Sequence, residues 1–153
     1  MDREQLGFYA EKYGKAVFRA AYSYTRNFAD SEDIMQETFL KLYKTNKSFV
    51  SDENVKAWLL RVAINISKDY LKSSWVNNRA ELDDAMSYEN EGEKALSEAM
   101  GKLKPECRIT VFLYYYMGYS VKEISKIMSV SESNVKIRLK RSRDSLREFL
   151  TEE

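Results

Sequence analysis

The sequence predicts an all-α protein in which two small helical domains are joined by a linker. Only five glycines and one proline occur among its 153 residues, and residue types that favour helices are abundant. The β-branched residues recur at helical spacing and do not alternate as they would in strands. Two basic segments flank an acidic one, which favours two anion-binding modules and a linker that does not bind.

The charge blocks, together with the loss of helical periodicity over residues 75–92, indicate how the chain divides into domains. Residues 1–80 carry 13 basic and 10 acidic side chains, residues 81–106 carry 3 and 8, and residues 107–150 carry 9 and 4. We predict three segments, which are a first domain over 1–74, an acidic linker over 75–92 and a second domain over 93–153. Association of the acidic linker with the basic modules is an alternative to a linker that stays apart from them.

Composition excludes several kinds of function. The chain has no histidine and a single cysteine, so an internal disulfide, the usual zinc sites and the usual proton acceptor at neutral pH are missing. No catalytic residue, metal or cofactor is therefore expected. The charged N-terminus lacks a signal-peptide core, and no apolar run approaches the ~20 residues that span a bilayer. We expect a cytoplasmic protein without membrane insertion.

Two helices are predicted before residue 45. The first covers residues 3–27, and its apolar stripe contains Leu6, Tyr9, Tyr13, Val17, Ala20, Ala21 and Tyr24. Asp30 or Ser31 can then cap a second helix, from Glu32 to about Lys44. The apolar face of that helix contains Ile34, Met35, Thr38, Phe39 and Leu42.

Carboxylates crowd the start of the second helix. They belong to Asp30, Glu32, Asp33 and Glu37. Negative charge suits the positive end of a helix dipole, and the same cluster can instead form a docking surface for a basic partner. Charge alone leaves both interpretations open.

A polar loop over residues 47–52 separates the second helix from a third. Its Phe49 either packs back on the helices or serves in binding, because exposed loops seldom keep an aromatic side chain without such a reason. The third helix is predicted from Glu53 to about Ser74. Asn65 lies near its inward stripe, where a polar side chain is either a structural hydrogen-bonding group or part of a site.

Two more helices are predicted after the linker. One covers residues 95–103. The other begins at Pro105 and ends at Gly118, since proline suits a first helical turn and glycine the left-handed position after a last one. Its predicted packing residues are Ile109, Phe112, Leu113, Tyr116 and Met117. We interpret the run Tyr114–Tyr116 as core and rim, and not as a platform on which bases stack.

Residues 119–150 have the pattern of a helix-turn-helix. Ser120 and Glu123 form a capping box at the start of a first helix. The segment Ser129–Ser131 ends that helix and offers a second cap, so another helix begins near Glu132. Two capped helices with a short connection are typical of this unit.

The last helix has an apolar seam and a basic surface. At roughly 100° per residue, the seam contains Val135, Leu139, Ser142, Leu146 and Phe149. The basic residues are Lys136, Lys140, Arg143 and Arg147 on one flank, with Arg138 and Arg141 on the other side. Such a surface either faces solvent or attracts phosphates through counterion release. The capped helix before it favours an element whose first turns enter a major groove.

Three blocks of the sequence together resemble one protein family. They are DSEDIMQETFLKLYK at 30–44, SFVSDENVKAWLLRVAINISKDYLKS at 48–73, and LKPECRITVFLYYYMGYSVKEISKIMSVSESNVKIRLKRSRDSLREFL at 103–150. In this order and spacing they resemble the extracytoplasmic-function sigma factors of bacterial RNA polymerase. The resemblance covers nearly the whole chain and implies a region 2 bundle followed by a region 4 helix-turn-helix.

The resemblance also implies a role and a set of sites. The role is that of a specificity subunit that binds bacterial core RNA polymerase and helps to melt promoter DNA. Residues implied to dock the polymerase clamp helices are Asp30, Glu32, Asp33, Gln36, Glu37 and Phe39. Phe49 and Asn65 match a pocket for a base flipped out of the minus-10 element. Lys136, Ile137, Lys140 and Arg141 occupy the positions that read the minus-35 element.

Two residues of the last helix depart from the family pattern. Ile137 stands where small polar residues are common, and Asn134 replaces the usual threonine. Ile137 favours apolar contact with a thymine methyl group or reading of DNA shape. An anti-sigma factor is a common partner in the family, and no residue of this chain identifies one.

Two other hypotheses use the same residues differently. A helix-turn-helix regulator would bind duplex DNA without joining polymerase. A small helical enzyme is the third hypothesis, and the lack of a histidine, a metal-ligand cluster and a glycine-rich phosphate loop argues against it.

Overall fold

Seven helices make up the computed structural model, which describes residues 1–73 and 90–151. They are α1 Arg3–Thr25, α2 Phe28–Lys44, α3 Asp52–Leu71, α4 Glu91–Gly101, α5 Pro105–Val111, α6 Val121–Met128 and α7 Glu132–Thr151. A π-helical turn, Phe112–Tyr116, extends α5. The described ranges contain no strand, so the all-α prediction is confirmed. Within those ranges, no helix is both long and apolar enough to cross a membrane.

The chain divides into two compact units, Met1–Leu82 and Asp83–Glu153. In the first unit, α1, α2 and α3 pack on one another as a three-helix bundle. Its core residues come from all three helices and are Tyr13, Val17, Ala21, Ile34, Phe39, Leu42, Val55, Leu59 and Ala63. Leu42 and Leu59 are fully buried, and each such side chain contributes about 2 kcal/mol through removal of apolar surface from water.

Helix α2 begins earlier than the sequence pattern predicts. Asn27 caps it, since the Asn27 side chain accepts a hydrogen bond of 2.9 Å from the backbone N–H of Asp30. Asparagine is as good a cap as aspartate or serine, so the predicted caps at Asp30 and Ser31 are wrong. Both residues lie inside the first turns and are buried, and the Ser31 hydroxyl hydrogen-bonds that of Thr25 at 2.7 Å.

In the second unit, α7 packs against α4, α5 and α6. Val135, Leu139 and Ser142 of the predicted seam are buried, whereas Leu146 and Phe149 are half-buried. The Phe149 ring also lies 4.7 Å from the Lys102 ammonium. The predicted seam therefore attaches α7 to the rest of the unit.

Helix α4 also begins before its predicted start at residue 95. Asn90 is the cap, and its side chain accepts a 2.8 Å hydrogen bond from the backbone N–H of Glu93. The predicted linker, residues 75–92, lies outside the described residues except for its last three. Glu91 and Gly92 of that segment are the first residues of α4.

The predicted helix-turn-helix is confirmed. The Glu123 backbone N–H donates to the Ser120 hydroxyl at 3.1 Å, and the Ser120 N–H donates to the Glu123 carboxylate at 2.9 Å. Ser129 adopts the left-handed conformation that ends α6. The Ser131 hydroxyl then accepts a 3.1 Å bond from the Asn134 N–H at the start of α7, so side chains satisfy the free N–H groups at both helix starts.

The π-helical turn changes which side chains face the core. Its signature is a 3.0 Å bond from the Met117 N–H to the Phe112 carbonyl, five residues earlier. Gly118 has the predicted left-handed conformation, with φ of 76°. Tyr116, predicted to pack under the helix-turn-helix, is exposed together with Tyr114 and Tyr115. The wider turn carries them out of the α-helical register, so the prediction of Tyr116 as a core residue is wrong.

Candidate functional site

The exposed face of α7 carries the four predicted base-reading residues. Lys136, Ile137, Lys140 and Arg141 are all exposed. Their spacing puts them on one side of the helix, opposite the buried seam. Ile137 is 48 % exposed, which leaves an apolar side chain among cations and able to contact an apolar group on a partner.

One lysine of this face, Lys140, already forms an ion pair with an acidic residue of the same helix. The Lys140 ammonium lies 3.0 Å from Oδ2 of Asp144, one turn later. The hydrogen bond from Lys140 holds the pKa of the Asp144 carboxyl below its usual range. Lys140 therefore has to exchange Asp144 for any anionic or hydrogen-bonding group that it binds outside the chain.

The loop between α2 and α3 presents two apolar residues in different ways. Phe49 is half-buried and meets Trp58 of α3 in a T-shaped contact, with ring centroids 5.7 Å apart. Val50 is 93 % exposed. Thus Phe49 packs on the bundle, as one interpretation predicts, and its neighbour remains in solvent.

A cluster of polar contacts ties α1 to the residue at which this loop enters α3, and we call it the Asp52 cluster. The Tyr9 hydroxyl donates to Asp52 Oδ1 at 2.9 Å, and the Lys12 ammonium lies 3.3 Å from Asp52 Oδ2. The Tyr13 hydroxyl donates to the Asp52 backbone carbonyl at 3.2 Å. The hydrogen bond from Tyr9, and to a smaller extent the one from Lys12, lowers the pKa of Asp52.

Asn65 is exposed on α3, and its side chain forms no hydrogen bond within the described part of the chain. The interpretation as a structural hydrogen-bonding group near the core is therefore wrong. Asn65 follows Trp58 by seven residues, or about two helical turns, so the two side chains share one side of α3. Phe49, packed on Trp58, lies on that side as well.

The six predicted residues on α2 separate into an exposed group and a buried group. Asp33, Gln36 and Glu37 are exposed, and Glu32 is partly exposed. Asp30 and Phe39 are buried. The Asp30 carboxylate accepts a hydrogen bond from the Tyr70 hydroxyl of α3, which gives it a role in joining two helices of the bundle.

Sequence patterns missed two residues of the exposed α2 face. Leu40 is 50 % exposed, and Tyr43 is also exposed. They continue the row of Asp33, Gln36 and Glu37 at helical spacing. The face therefore combines carboxylates with apolar area. In the sequence, Leu40 and Tyr43 directly follow the buried residues Phe39 and Leu42. These pairs of adjacent apolar residues are the signal that could have found the face.

Comparison with protein families matches both units of the chain. Residues 9–77 match the family model described as Sigma-70 region 2, and residues 93–146 match the one described as Sigma-70, region 4. The ECF RNA polymerase sigma factor SigM of Bacillus subtilis is 30 % identical over 149 residues, which cover 90 % of each chain. SigM of Mycobacterium tuberculosis is 27 % identical over 154 residues, which cover 97 % of this chain and 79 % of the relative.

Two solved structures share the fold. One is the sigma factor RpoE of Bartonella quintana in complex with the anti-sigma factor NepR, with a TM-score of 0.76, 20 % identity, and coverage of 97 % of this chain and 95 % of that chain. The other is CnrH in complex with the cytosolic domain of CnrY, with a TM-score of 0.72, 23 % identity, and coverage of 99 % and 91 %. These identities carry the likeness of fold alone.

Proposed function

Since this chain belongs to the ECF RNA polymerase sigma factors, we propose that it binds bacterial core RNA polymerase, recognises the minus-35 and minus-10 promoter elements and promotes DNA melting. The observation that carries the proposal is the exposed cationic face of α7 in a chain that matches both sigma regions in order. The chain then acts as a specificity subunit in the cytoplasm and performs no catalysis of its own.

Helix α7 reads the minus-35 element in this proposal. Lys136 and Arg141 are exposed donors that can reach guanine edges or phosphates. Ile137 lies between them and presents its apolar side chain to a thymine methyl group. The buried seam holds the helix from behind, so the reading side chains start from a rigid element.

The side of the first unit that carries Phe49 and Asn65 holds a flipped base of the minus-10 element. Removing a base from the stack costs a few kcal/mol. Stacking on an aromatic ring returns about 1 to 3 kcal/mol, and the exposed Asn65 amide can both donate to and accept from a base edge. The contact with Trp58 holds the Phe49 ring in place, and Val50 is available to the displaced strand.

The exposed face of α2 binds the polymerase. Asp33, Gln36 and Glu37 supply polar and negative groups, and Leu40 and Tyr43 supply apolar area for the centre of the contact. Asp30 and Phe39 support this face from the bundle side. An anti-sigma factor is a further partner, because the sigma factor RpoE, which shares the fold, is solved in complex with the anti-sigma factor NepR.

Reconstitution with purified core polymerase tests the proposed function. DNA fragments are first selected from a random library by the polymerase complex, and transcripts are then mapped on the selected fragment. Initiation should require the chain and should fall when either promoter element is shuffled. A chain that binds duplex DNA alone and never associates with polymerase would instead be a helix-turn-helix regulator.

A further inference from the structure

A contact joins Tyr115 of the π-helical turn to Arg143 of α7. It lies outside the reading face, which is the exposed surface of α7 formed by Lys136, Ile137, Lys140 and Arg141. The Arg143 guanidinium donates a hydrogen bond of 3.3 Å to the Tyr115 hydroxyl oxygen. Both side chains are exposed, Tyr115 by 56 %. The two residues are therefore held together at the surface of the second unit and remain accessible.

This pair keeps several hydrogen-bond donors for a group outside the chain. The Tyr115 oxygen accepts from Arg143, so the hydroxyl hydrogen is left for another acceptor, and no residue in 1–73 or 90–151 takes it. The guanidinium keeps further N–H donors, and no carboxylate in those ranges pairs with it. Lys140, by contrast, is paired with Asp144. Asp144 interacts electrostatically with Arg143 but forms no ion pair with it, and a guanidinium with unused N–H donors is suited to an anion.

The position of Arg143 indicates which anion this is. Arg143 follows Lys136 by seven residues and Lys140 by three, so it borders the reading face along the helix. Sugar-phosphate backbones border a major groove that holds a helix, and side chains at the edge of such a helix contact them. The π-helical turn places the Tyr115 hydroxyl at this same edge.

We propose that Tyr115 and Arg143 together bind one backbone phosphate of the promoter beside the minus-35 element. The proposal rests on the function proposed for α7. Arg143 supplies the charge and planar N–H donors, and Tyr115 both orients the guanidinium and donates its hydroxyl hydrogen to the phosphate. The pair sets the register of α7 on the duplex without reading a base.

Salt-dependent binding tests the pair. The full chain is assembled with core polymerase, and its affinity for the selected duplex is measured by fluorescence anisotropy across a series of KCl concentrations. Tyr115→Phe keeps the ring and removes the hydroxyl, and should weaken binding about three- to tenfold. Arg143→Ala should weaken it further and reduce the slope of log affinity against log salt by about 0.9. Arg143→Lys should keep the slope and lose affinity, because it keeps the charge without the planar donors.

The losses should also be the same on fragments with different upstream elements, since a phosphate contact carries no sequence information. Tyr115→Phe combined with Arg143→Ala should lose less than the product of the single losses, because both act on one phosphate. Tyr114→Phe is the matched control. It removes an exposed hydroxyl of the same turn that bonds no described residue, and should bind like the wild type.

Either of two results with the tyrosine variants would overturn the phosphate site. One is wild-type affinity of Tyr115→Phe at every salt concentration, and the other is an equal loss from Tyr114→Phe. A wild-type complex with no promoter preference would contradict the proposed function itself. A wild-type complex that prefers its promoter, together with an unchanged salt slope in Arg143→Ala, would contradict only the phosphate site.

Discussion

The Tyr9 hydroxyl donates a hydrogen bond of 2.9 Å to the Asp52 carboxylate and so joins α1 to the first residue of α3, 43 positions along the chain. The Phe49 loop ends at the same place, because Ser51 caps α3. A change at either partner is therefore expected to act on the stability of the first unit and on the entry of the loop into α3.

Tyr9→Phe removes the hydroxyl donor and keeps the ring. We expect Tm to fall by about 2 to 5 °C, since a partly exposed hydrogen bond contributes modestly to stability. Calorimetry on the full chain measures the change. Tyr43→Phe is the control, because the exposed Tyr43 hydroxyl bonds no described residue, and an equal fall in that variant would contradict the role of the bond.

The Asp52 cluster should make stability depend on acidic pH. Bonds from Tyr9 and Lys12 lower the pKa of Asp52 in the folded chain below the ordinary 3.8. Its stabilising effect is therefore complete above pH 3.8 and is lost as the pH falls through the folded value. Urea unfolding of wild type and Asp52→Asn should differ at neutral pH and converge in the acidic limit. A difference that stays constant down to pH ~2 would exclude this titration.

Reversing charge on α2 should weaken association with polymerase. Asp33→Lys with Glu37→Lys removes two exposed carboxylates that oppose a basic partner, and circular dichroism should show the helical content unchanged. Association with core polymerase is measured by anisotropy of the labelled chain. Glu11→Lys makes the same kind of change at an exposed position of α1 and should bind normally. Unchanged binding of the α2 variant would count against this interface.

Substitutions on the reading face should change promoter preference. Lys136→Ala or Arg141→Ala should cost roughly 1 to 3 kcal/mol at the base that each contacts. Ile137→Thr should reduce discrimination for thymine at one position, because the apolar contact with the methyl group is reduced. Selection of bound fragments by each variant complex measures these preferences. Equal losses on every fragment would identify Lys136 and Arg141 as phosphate contacts.

Removing the internal competitor of Lys140 should strengthen DNA binding. Asp144→Asn deletes the carboxylate that lies 3.0 Å from the ammonium, so Lys140 no longer has to exchange partners. Affinity should rise and its salt dependence should steepen by up to about 0.9 in the logarithmic slope. Glu148→Gln removes an exposed carboxylate from the next turn and should have the smaller effect. Equal gains would mean that net charge, and not the ion pair, is responsible.

Local signals account for the parts of the fold that the sequence predicts. The capping box of Ser120 and Glu123 and the left-handed Gly118 each depend on neighbouring residues, and both are confirmed. The predicted start of α2 is wrong because Asn27, Asp30 and Ser31 are all acceptable caps. Asp30 and Ser31 are buried in the bundle, so Asn27 is the residue that caps the helix. Burial depends on how the three helices pack, and neighbouring residues alone do not predict it.

Long-range contacts account for what the sequence does not predict about the candidate site. Asp30 bonds Tyr70 and Asp52 bonds Tyr9 across 40 and 43 positions, and neither pair has a periodic signature. The position of Tyr116 depends on a π-helical hydrogen bond. A prediction from regular α-helical periodicity does not anticipate such a bond. The exposure of the four proposed base-reading residues of α7 was predictable because the buried seam defines the opposite side.

A π-helical turn is equivalent to an α-helix that has received one inserted residue. Deleting one residue from Phe112–Tyr116 would restore regular winding and rotate the preceding residues by about 100° relative to α7. A different side chain would then face Arg143, although no residue of α7 had changed. Among related chains, the surface beside that helix should therefore diverge through insertions and deletions as well as through substitutions.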